Sequence, residues 1–285
     1  MSSVDLMKLI QRNVLSLEPY HVEDNDCEIK LHANENPFPP SKELLDLFSA
    51  SLQKLQLNRY PDSDSKALKD SIANRLDIKT ERLVIGNGSD EIILFLLQVF
   101  CQEGDTITFP EPTFAMYSII AQSLSIKSAS ISLDSQWNFN ADALLRSAEE
   151  NNSRIIFLSY PNNPTGNCFS DIQVQKVIKS FQGIVVIDEA YHDFSRKSFI
   201  NQIEEHNNLV VLRSLSKIGL AALRVGFGVA DPLVINEINK VRLPYNSNTI
   251  SQTFAEHLIT NFEAVQEQID SIIDERHRLL DELQK

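Results

Sequence analysis

The chain has 285 residues, of which 42% are hydrophobic and 23% are charged. This composition allows a large buried core and is not that of a disordered or fibrous chain. The 39 acidic residues outnumber the 26 basic ones, and the formal charge of -13 argues against nonspecific binding to nucleic acid or to anionic lipid. Any anionic ligand must therefore be bound by a local group of hydrogen-bond donors.

The cysteines, the histidines and the apolar segments indicate a cytoplasmic protein without a metal site. Cys27, Cys101 and Cys168 lie far apart and form no C-x-x-C pair, so we expect reduced packing residues. The six histidines lack the spacing of metal ligands. The N-terminus has no uninterrupted apolar stretch like that of a signal peptide, and no apolar run is long enough to span a membrane.

The predicted elements alternate between helices and strands. SKALKDSIAN at 65–74 has helical periodicity, and a glycine turn at 86–88 leads into a long apolar helix that ends near Phe100. Short runs rich in β-branched residues follow at 106–109, 154–160, 183–190 and 209–217. This alternation predicts an α/β fold with a mainly parallel sheet. The sequences IIFL and IVVI lack polar positions, as expected for strands with helices on both faces.

Polar residues follow three of these strands at once. They are Asn162 and Asn163 after IIFL, Asp188 and Tyr191 after IVVI, and Ser214, Ser216 and Lys217 after LVVL. Open parallel sheets bind their ligands beyond the carboxyl ends of the strands. The sequence therefore predicts that these residues surround a ligand.

Four of these residues together suit a pyridine cofactor that carries an aldehyde and a phenolic oxygen, namely pyridoxal 5'-phosphate (PLP). Asp188 would keep the ring nitrogen protonated, while Asn163 and Tyr191 would hydrogen-bond the ring oxygen. The amine of Lys217 would form a Schiff base with the aldehyde. Each residue alone has an ordinary explanation, since a lone lysine is usually solvated and a lone aspartate usually caps a helix.

Ten sequence blocks, from about residue 19 to the end, resemble the histidinol-phosphate aminotransferases of the fold type I PLP enzymes. In order they are PY at 19–20, LHANENPFPP from 31, NRYPD from 58, GNGSDE from 86, PEPTFAMY from 110, YPNNPTG from 160, DEAY from 188, SLSK from 214, LRVGF from 223 and RLPYN from 242. PNNPTG and DEAY are common among aminotransferases, whereas the NENP and RLPYN blocks are similar to the histidinol-phosphate branch. The implied fold is a mainly parallel sheet sandwiched by helices, with a small domain from both chain ends.

The resemblance implies a role for individual residues of the site. Lys217 resembles the Schiff-base lysine, which also moves a proton between the substrate Cα and the cofactor. Asp188 resembles the partner of the pyridine nitrogen, and Tyr191 completes the catalytic set. Phe114 lies where an aromatic ring stacks on the cofactor. The residues that the resemblance assigns to substrate binding are Tyr20, Asn34 and Asn163.

The cofactor phosphate requires several donors, because a buried dianion is costly without hydrogen bonds and counter-charge. The backbone N–H groups of Ser89, Asp90 and Glu91 at a helix start are expected to supply some of them, with both acidic side chains pointing away. The remaining donors implied by the resemblance are Ser214, Ser216 and Arg224. Arg224 follows Lys217 by seven positions, one fewer than the general aminotransferase signature, as in some histidinol-phosphate members.

Tyr60 in NRYPD resembles the tyrosine that reaches the cofactor phosphate of a neighbouring subunit, which implies a homodimer with shared active sites. The resemblance also implies three regions. These are an N-terminal arm at 1–34, a large PLP-binding domain at 35–245, and the start of a small domain at 246–285. The family normally continues beyond the position of Lys285 into a segment with substrate-binding arginines, so the sequence suggests a truncated small domain.

The leading functional hypothesis is PLP-dependent transamination of L-histidinol phosphate with 2-oxoglutarate in histidine biosynthesis. Aromatic amino-acid transamination or threonine-phosphate decarboxylation on the same scaffold would use the same cofactor residues. A non-catalytic PLP-fold protein or an inert truncated product is the alternative from another class. Known regulators of this fold carry an N-terminal DNA-binding domain, for which the short N-terminal arm leaves no room.

Overall fold

The computed structural model describes residues 4–19 and 28–285. Within these residues, the α-helices are α1 (Arg12–Leu15), α2 (Lys42–Leu52), α3 (Lys66–Leu76), α4 (Ser89–Phe100), α5 (Met116–Ser123), α6 (Ala141–Glu150), α7 (Asp171–Ser180), α8 (His192–Ser195), α9 (Pro232–Val241), α10 (Thr249–Thr260) and α11 (Glu263–Leu283). The strands are β1 (Leu83–Asn87), β2 (Thr106–Glu111), β3 (Lys127–Ser132), β4 (Ser153–Ser159), β5 (Ile184–Asp188), β6 (Leu209–Ser214) and β7 (Val225–Val229). Short 3-10 helices include Ser216–Ile218 and Ala221–Leu223. Helices therefore separate most of the strands, as the sequence predicts.

The strands form one sheet in the order β1-β7-β6-β5-β4-β2-β3. Neighbouring strands from β6 to β3 are parallel, and β7 is antiparallel to both β6 and β1. The prediction of a mainly parallel α/β sheet is confirmed.

Alternate residues of the central strands pack into two separate cores. Ile156 and Leu158 of β4 belong to one apolar cluster, and Ile155 and Phe157 belong to the other, because successive side chains of a strand point to opposite faces. Helices α2, α3, α6, α7, α10 and α11 contribute to the first cluster, and α4, α5 and α9 contribute to the second. The central strands are therefore buried on both faces, which explains their continuous apolar sequences.

The register of the sheet aligns the strand ends that carry polar residues. Ser159 of β4 pairs with Asp188 of β5, and Asp188 pairs with Leu212 of β6. The N-terminus of α4 reaches the same edge through a close approach of two chains. A Cβ at Gly226 would lie 2.3 Å from the backbone nitrogen of Ser89, so only glycine lets β7 pass this close to the start of α4.

In the described ranges 4–19 and 28–285, none of the helices is both long and apolar enough to cross a lipid bilayer. The cytoplasmic location and the three-region division at 1–34, 35–245 and 246–285 stay predictions. The long helix α11 packs through Val265 and Ile269 against the first core cluster. Its later turns reach the polar edge of the sheet.

Candidate active site

A cavity of about 550 Å³ opens at the carboxyl edge of the sheet. Four residues that the sequence assigns to the site line it, namely Asn34, Asn163, Tyr191 and Lys217. Residues of α11 form part of the opposite wall, and they are Ser271, Ile272, Glu275 and Arg276. Side chains from distant parts of the chain therefore meet in one cavity.

Lys217 lies on the 3-10 turn that directly follows β6. It is half-buried, and its Nζ donates a hydrogen bond to the carbonyl oxygen of Ala33 at 3.1 Å. The same Nζ lies 5.4 Å from the centre of the Tyr191 ring. The Tyr191 hydroxyl accepts a hydrogen bond from Nδ2 of Asn34 at 3.2 Å. The segment around Asn34 thus contacts both the amine and the phenol of the candidate site.

Asp188 ends β5 and is buried. Its Oδ2 accepts a hydrogen bond from the Tyr117 hydroxyl at 2.8 Å, and its Oδ1 accepts one from the backbone nitrogen of Ala190 at 3.1 Å. Burial raises the pKa of Asp188 to about 6, assisted by the charge of Asp90, while the two hydrogen bonds oppose the rise. The carboxyl group is therefore mostly ionised at neutral pH, as a partner for a protonated ring nitrogen must be.

Tyr117 is a site residue that reasoning from the sequence missed. Its ring is fully buried, stacks on Phe157 at 4.7 Å and meets Phe114 edge-on at 5.5 Å. Burial raises the pKa of Tyr117 well above its ordinary value, with the charge of Asp188 as the next cause, so the hydroxyl stays a donor. The signal that could have found it is its place three residues after Phe114 in the PTFAMY block.

Replacing Tyr117 with phenylalanine is expected to lower the free energy of unfolding by about 1.5–3 kcal/mol, because a buried carboxylate loses a donor. The pKa of Asp188 should rise, and PLP affinity should fall by roughly tenfold, the equivalent of one pKa unit. Urea unfolding and PLP titration measure the two effects. The control is Tyr160→Phe, which removes a buried hydroxyl bonded to Asp171. Equal PLP affinity in both variants would contradict this role of Tyr117.

The residues expected around the cofactor phosphate also converge. Ser89 begins α4 and is buried, as are Ser214 and Ser216. Nη1 of Arg224 donates to Oγ of Ser216 at 3.2 Å, and the Ser216 backbone nitrogen donates to Oγ of Ser214 at 3.2 Å. A Cβ at Gly88 would lie 2.8 Å from Nη2 of Arg224, so the guanidinium adjoins the helix start. The shorter spacing from Lys217 does not prevent Arg224 from reaching this cluster.

The side chains of the two acidic residues at the start of α4 point in different directions. Oε2 of Glu91 accepts from the backbone of Asn87 and from Nδ2 of Asn246, each at 2.7 Å, and therefore points away from Arg224. Asp90 instead pairs with Nη2 of Arg224 at 3.1 Å. The expectation that both acidic side chains point away is wrong for Asp90, because its carboxylate is attracted to the adjacent guanidinium.

The remaining candidate residues occupy different places. Phe114 is half-buried against Tyr117. Tyr60 does not line the described part of the cavity; it is 81% exposed and stacks on Tyr245 at 4.6 Å. Tyr20 lies outside the described residues. Asn162, which precedes Asn163, is buried and bonded to Thr113, Pro112 and Thr165. Both residues line the cavity, but the side chain of Asn162 is committed to these bonds, so Asn163 stays the candidate donor to the ring oxygen.

The residues present fit PLP group by group. The cluster of buried serine hydroxyls, helix-start N–H groups and the Arg224 guanidinium has the donors that a phosphate dianion requires. A buried, mostly ionised carboxylate suits the pyridine nitrogen, and an amide and a phenol suit the ring oxygen. The amine of Lys217 lies at the end of the strand next to the one that carries Asp188. The chemistry that PLP supplies is the withdrawal of electrons from a substrate carbon that loses a proton.

Comparison with known families decides the class of the protein. The family described as "Aminotransferase class I and II" matches residues 27–285. The chain belongs to this family. The predicted resemblance and the assignment as an enzyme are confirmed, and PLP is confirmed as the cofactor at the level of the family.

Curated relatives of this aminotransferase carry a common name. "Histidinol-phosphate aminotransferase 2" of Nitrosococcus oceani is 37% identical over 97% of this chain and 77% of its own length. "Histidinol-phosphate aminotransferase" of Flavobacterium johnsoniae is 38% identical over 98% of this chain and 78% of its own length. The aminotransferase thus spans more than three quarters of each relative.

Solved structures confirm the fold. The histidinol-phosphate aminotransferase from Clostridium acetobutylicum is 25% identical and superposes with a TM-score of 0.80 over 88% of this chain and 75% of that one. The one from Sinorhizobium meliloti, solved in complex with pyridoxal 5'-phosphate, is 20% identical with a TM-score of 0.81 over 87% of this chain and 68% of that one. The aminotransferase therefore has the fold type I architecture expected from its sequence.

Proposed function

We propose that this aminotransferase transfers the amino group of L-histidinol phosphate to 2-oxoglutarate in histidine biosynthesis. The observation that carries the proposal is the shared name of relatives that are 37% and 38% identical over nearly the whole chain. The substrates are then a phosphorylated amino alcohol and a dicarboxylic oxo acid, and the products are imidazole acetol phosphate and glutamate. A cytoplasmic location, where such metabolites are found, belongs to the same proposal.

The residues of the candidate site would divide the work of this reaction. Lys217 would bind the aldehyde of PLP and then move a proton at the substrate Cα, because its amine is a base on a short, half-buried turn. Asp188 would hold the proton of the ring nitrogen, and Asn163 and Tyr191 would orient the ring through its oxygen. Asn34 donates to Tyr191 and would adjoin the substrate. Phe114 would stack on the ring.

The phosphate of PLP would be held by hydroxyls and N–H groups at the start of α4 and the end of β6. The donors would come from Ser89, Asp90, Glu91, Ser214, Ser216 and Arg224. The pair between Arg224 and Asp90 orients the guanidinium beside Gly88, and a bound dianion would compete with Asp90 for it. The first turn of α4 also presents the positive end of the helix dipole.

The substrate is tested by adding candidate amines to the protein loaded with PLP. Histidinol phosphate is expected to convert the absorbance of lysine-bound PLP to that of the aminated cofactor, and 2-oxoglutarate should restore it. Tyrosine, phenylalanine and O-phosphothreonine are the comparison compounds, because they represent the two related activities. A change with one of these and none with histidinol phosphate would replace the proposed substrate.

The surface around Tyr60 supports a homodimer with shared active sites. Tyr60 and Tyr245 form an exposed aromatic stack, and Leu57 and Leu243 beside them in sequence are 65% and 70% exposed. An exposed apolar patch of this kind favours a protein interface. In the dimer, Tyr60 would reach the cofactor phosphate of the other subunit. Tyr20, in the N-terminal arm, is proposed as a substrate contact.

Subunit mixing tests the shared site. Lys217→Ala and Tyr60→Ala protomers should each be impaired, and a 1:1 mixture that exchanges subunits should recover up to about one quarter of wild-type activity. This fraction follows because half of the dimers are mixed, and each mixed dimer has one site with both residues intact. The control is Tyr245→Ala, which loses the aromatic stack and keeps Tyr60. If subunits exchange but the mixture recovers no activity, Tyr60 does not contribute to the active site of the other subunit.

A further inference from the structure

A buried ion pair lies directly beside two residues of the proposed site. Glu189 follows Asp188 at the end of β5, and Arg213 precedes Ser214 at the end of β6. The Glu189 side chain is fully buried, and the Arg213 side chain is 8% exposed. Both side chains are bonded to each other, to Ser198 and to the backbone of Phe199, so neither is free to act as a direct ligand.

Several directional hydrogen bonds hold this pair. Oε2 of Glu189 accepts hydrogen bonds from Nε and Nη2 of Arg213 at 3.1 and 3.0 Å, and from Oγ of Ser198 at 2.7 Å. Its Oε1 accepts from the backbone nitrogen of Phe199 at 2.6 Å. Nη2 of Arg213 also donates to Ser198 at 2.8 Å. Both carboxylate oxygens of Glu189 and two of the three guanidinium nitrogens of Arg213 are therefore held by hydrogen bonds.

The backbone continues the same connection. The nitrogen of Glu189 donates to the carbonyl oxygen of Leu212 at 2.8 Å, which extends the ladder between β5 and β6 by one residue beyond Asp188. Main-chain and side-chain bonds thus link β5 and β6 at the point where each strand ends near the cavity. Asp188 lies on one side of this link, and the turn with Lys217 lies on the other.

Stability alone is a weak explanation of this arrangement. Removing two charges from water is costly, and a well-packed apolar pair of similar size is often as stable as a buried ion pair or more stable. What an apolar pair lacks is direction, because only the planar guanidinium fixes both the distance and the angle to a carboxylate. The geometry therefore indicates a requirement for precise relative placement of the two strand ends.

We infer that Glu189 and Arg213 are positioning residues. They hold the carboxyl ends of β5 and β6 so that Asp188 and Lys217 contact the same PLP molecule. The inference rests on the proposed function, since that function makes Asp188 the partner of the ring nitrogen and Lys217 the partner of the aldehyde. Ser198 bonds both members of the pair, and the backbone nitrogen of Phe199 holds the other carboxylate oxygen of Glu189. A displacement of the strand ends by about 1 Å can cost 100-fold in rate.

The test separates placement from stability. Glu189→Gln and Arg213→Met each leave one buried charge without its partner and are expected to lower the unfolding temperature. The double variant has neither charge and should recover part of that loss, while the buried Asp193 loses Arg213 and keeps the charge of Arg75. It should nevertheless bind PLP through Lys217 with a shifted pH midpoint of the cofactor absorbance, and its half-reaction with histidinol phosphate should slow by roughly 10- to 100-fold.

Two further variants make the result decisive. Arg213→Lys keeps the positive charge but loses the planar guanidinium that bonds through two nitrogens. It should fold and still show the shifted pH midpoint of the cofactor absorbance and the slow half-reaction. The control removes an ion pair remote from the cavity, that between Lys176 and Asp142, by Lys176→Met with Asp142→Asn. This control should match the wild type in absorbance and rate.

Each outcome has one meaning. A double variant with recovered stability, a wild-type midpoint and a wild-type rate would show that the pair only supports the fold. If the double variant fails to fold, wild-type values in Arg213→Lys would overturn the inference in the same way. A wild-type protein that shows no lysine-bound PLP absorbance would instead refute the proposed function, which the variants do not address.

Discussion

Replacing Lys217 with alanine is expected to abolish covalent attachment of PLP and to lower transamination by on the order of 10⁴-fold or more, because one amine both anchors the cofactor and moves the proton. Nζ of Lys217 is held on the carbonyl oxygen of Ala33 beside the ring of Tyr191, where an aldehyde between Asp188 and Lys217 would be within its reach. Borohydride reduction of the PLP complex, followed by peptide mass analysis, identifies the lysine that carries the cofactor.

The control variants for this prediction are two other lysines. Lys240 is exposed and pairs with Glu237, so Lys240→Ala should keep both attachment and activity. Lys30 lines the cavity, which makes Lys30→Ala the stricter comparison. Attachment retained in Lys217→Ala and lost in Lys30→Ala would transfer the role of anchor to Lys30.

The central sheet was predictable because its sequence pattern is determined by burial alone. Strands β4, β5 and β6 are continuous apolar runs of suitable length between helices, and such runs have few other structures available. The pattern fails for β7, where Gly226 and Gly228 interrupt the apolar residues. Gly226 is required by the packing of α4, since a Cβ there would lie 2.3 Å from the backbone nitrogen of Ser89, and a Cβ at Gly228 would be tight against Val84 and Ile92 at 3.2 and 3.3 Å. That reason is visible only once α4 lies against β7.

The polar residues at the strand ends were predictable for a similar reason. Parallel strands that end in register place their next residues at one edge, so Asn163, Asp188 and Lys217 follow from the strand assignments. The bond from Asn34 to Tyr191 does not follow, because it joins residues 157 positions apart. Sequence spacing contains no information on such a contact, and only the family resemblance pointed to Asn34.

Contacts beneath the site were beyond reasoning from the sequence. Tyr117 reads as a core aromatic residue, and its hydroxyl finds Asp188 only because α5 packs against β4 through Phe157. Glu189 and Arg213 read as ordinary charged residues, which are rarely buried. Their burial is possible because Ser198 and the backbone of Phe199 complete their hydrogen bonds.

Replacing Asp188 with asparagine is expected to slow transamination by roughly 10²- to 10³-fold, because an amide does not hold a positive charge on the ring nitrogen. The same change should stabilise the cofactor-free protein at neutral pH. Burial raises the pKa of Asp188 to about 6, against about 3.9 in the unfolded chain. Between these values the folded state binds more protons, so the free energy of unfolding falls as pH rises, and the full penalty is present above pH 6.

Asparagine has no such titration, so the variant should exceed the wild type by roughly 1–3 kcal/mol at pH 7, and the gain should disappear below about pH 4. Urea unfolding of the cofactor-free proteins at pH 4, 5, 6 and 7 measures the difference, and the half-reaction with histidinol phosphate measures the loss of rate. Asp281→Asn, at an exposed position of α11, controls for the loss of one carboxylate. Only Asp188→Asn should raise stability while it lowers activity. The buried carboxylate of Asp188 has no counter-ion in the cofactor-free protein and destabilises the fold, but it provides the negative charge that the ring nitrogen requires. A variant that keeps the wild-type rate would show that the ring nitrogen has another partner.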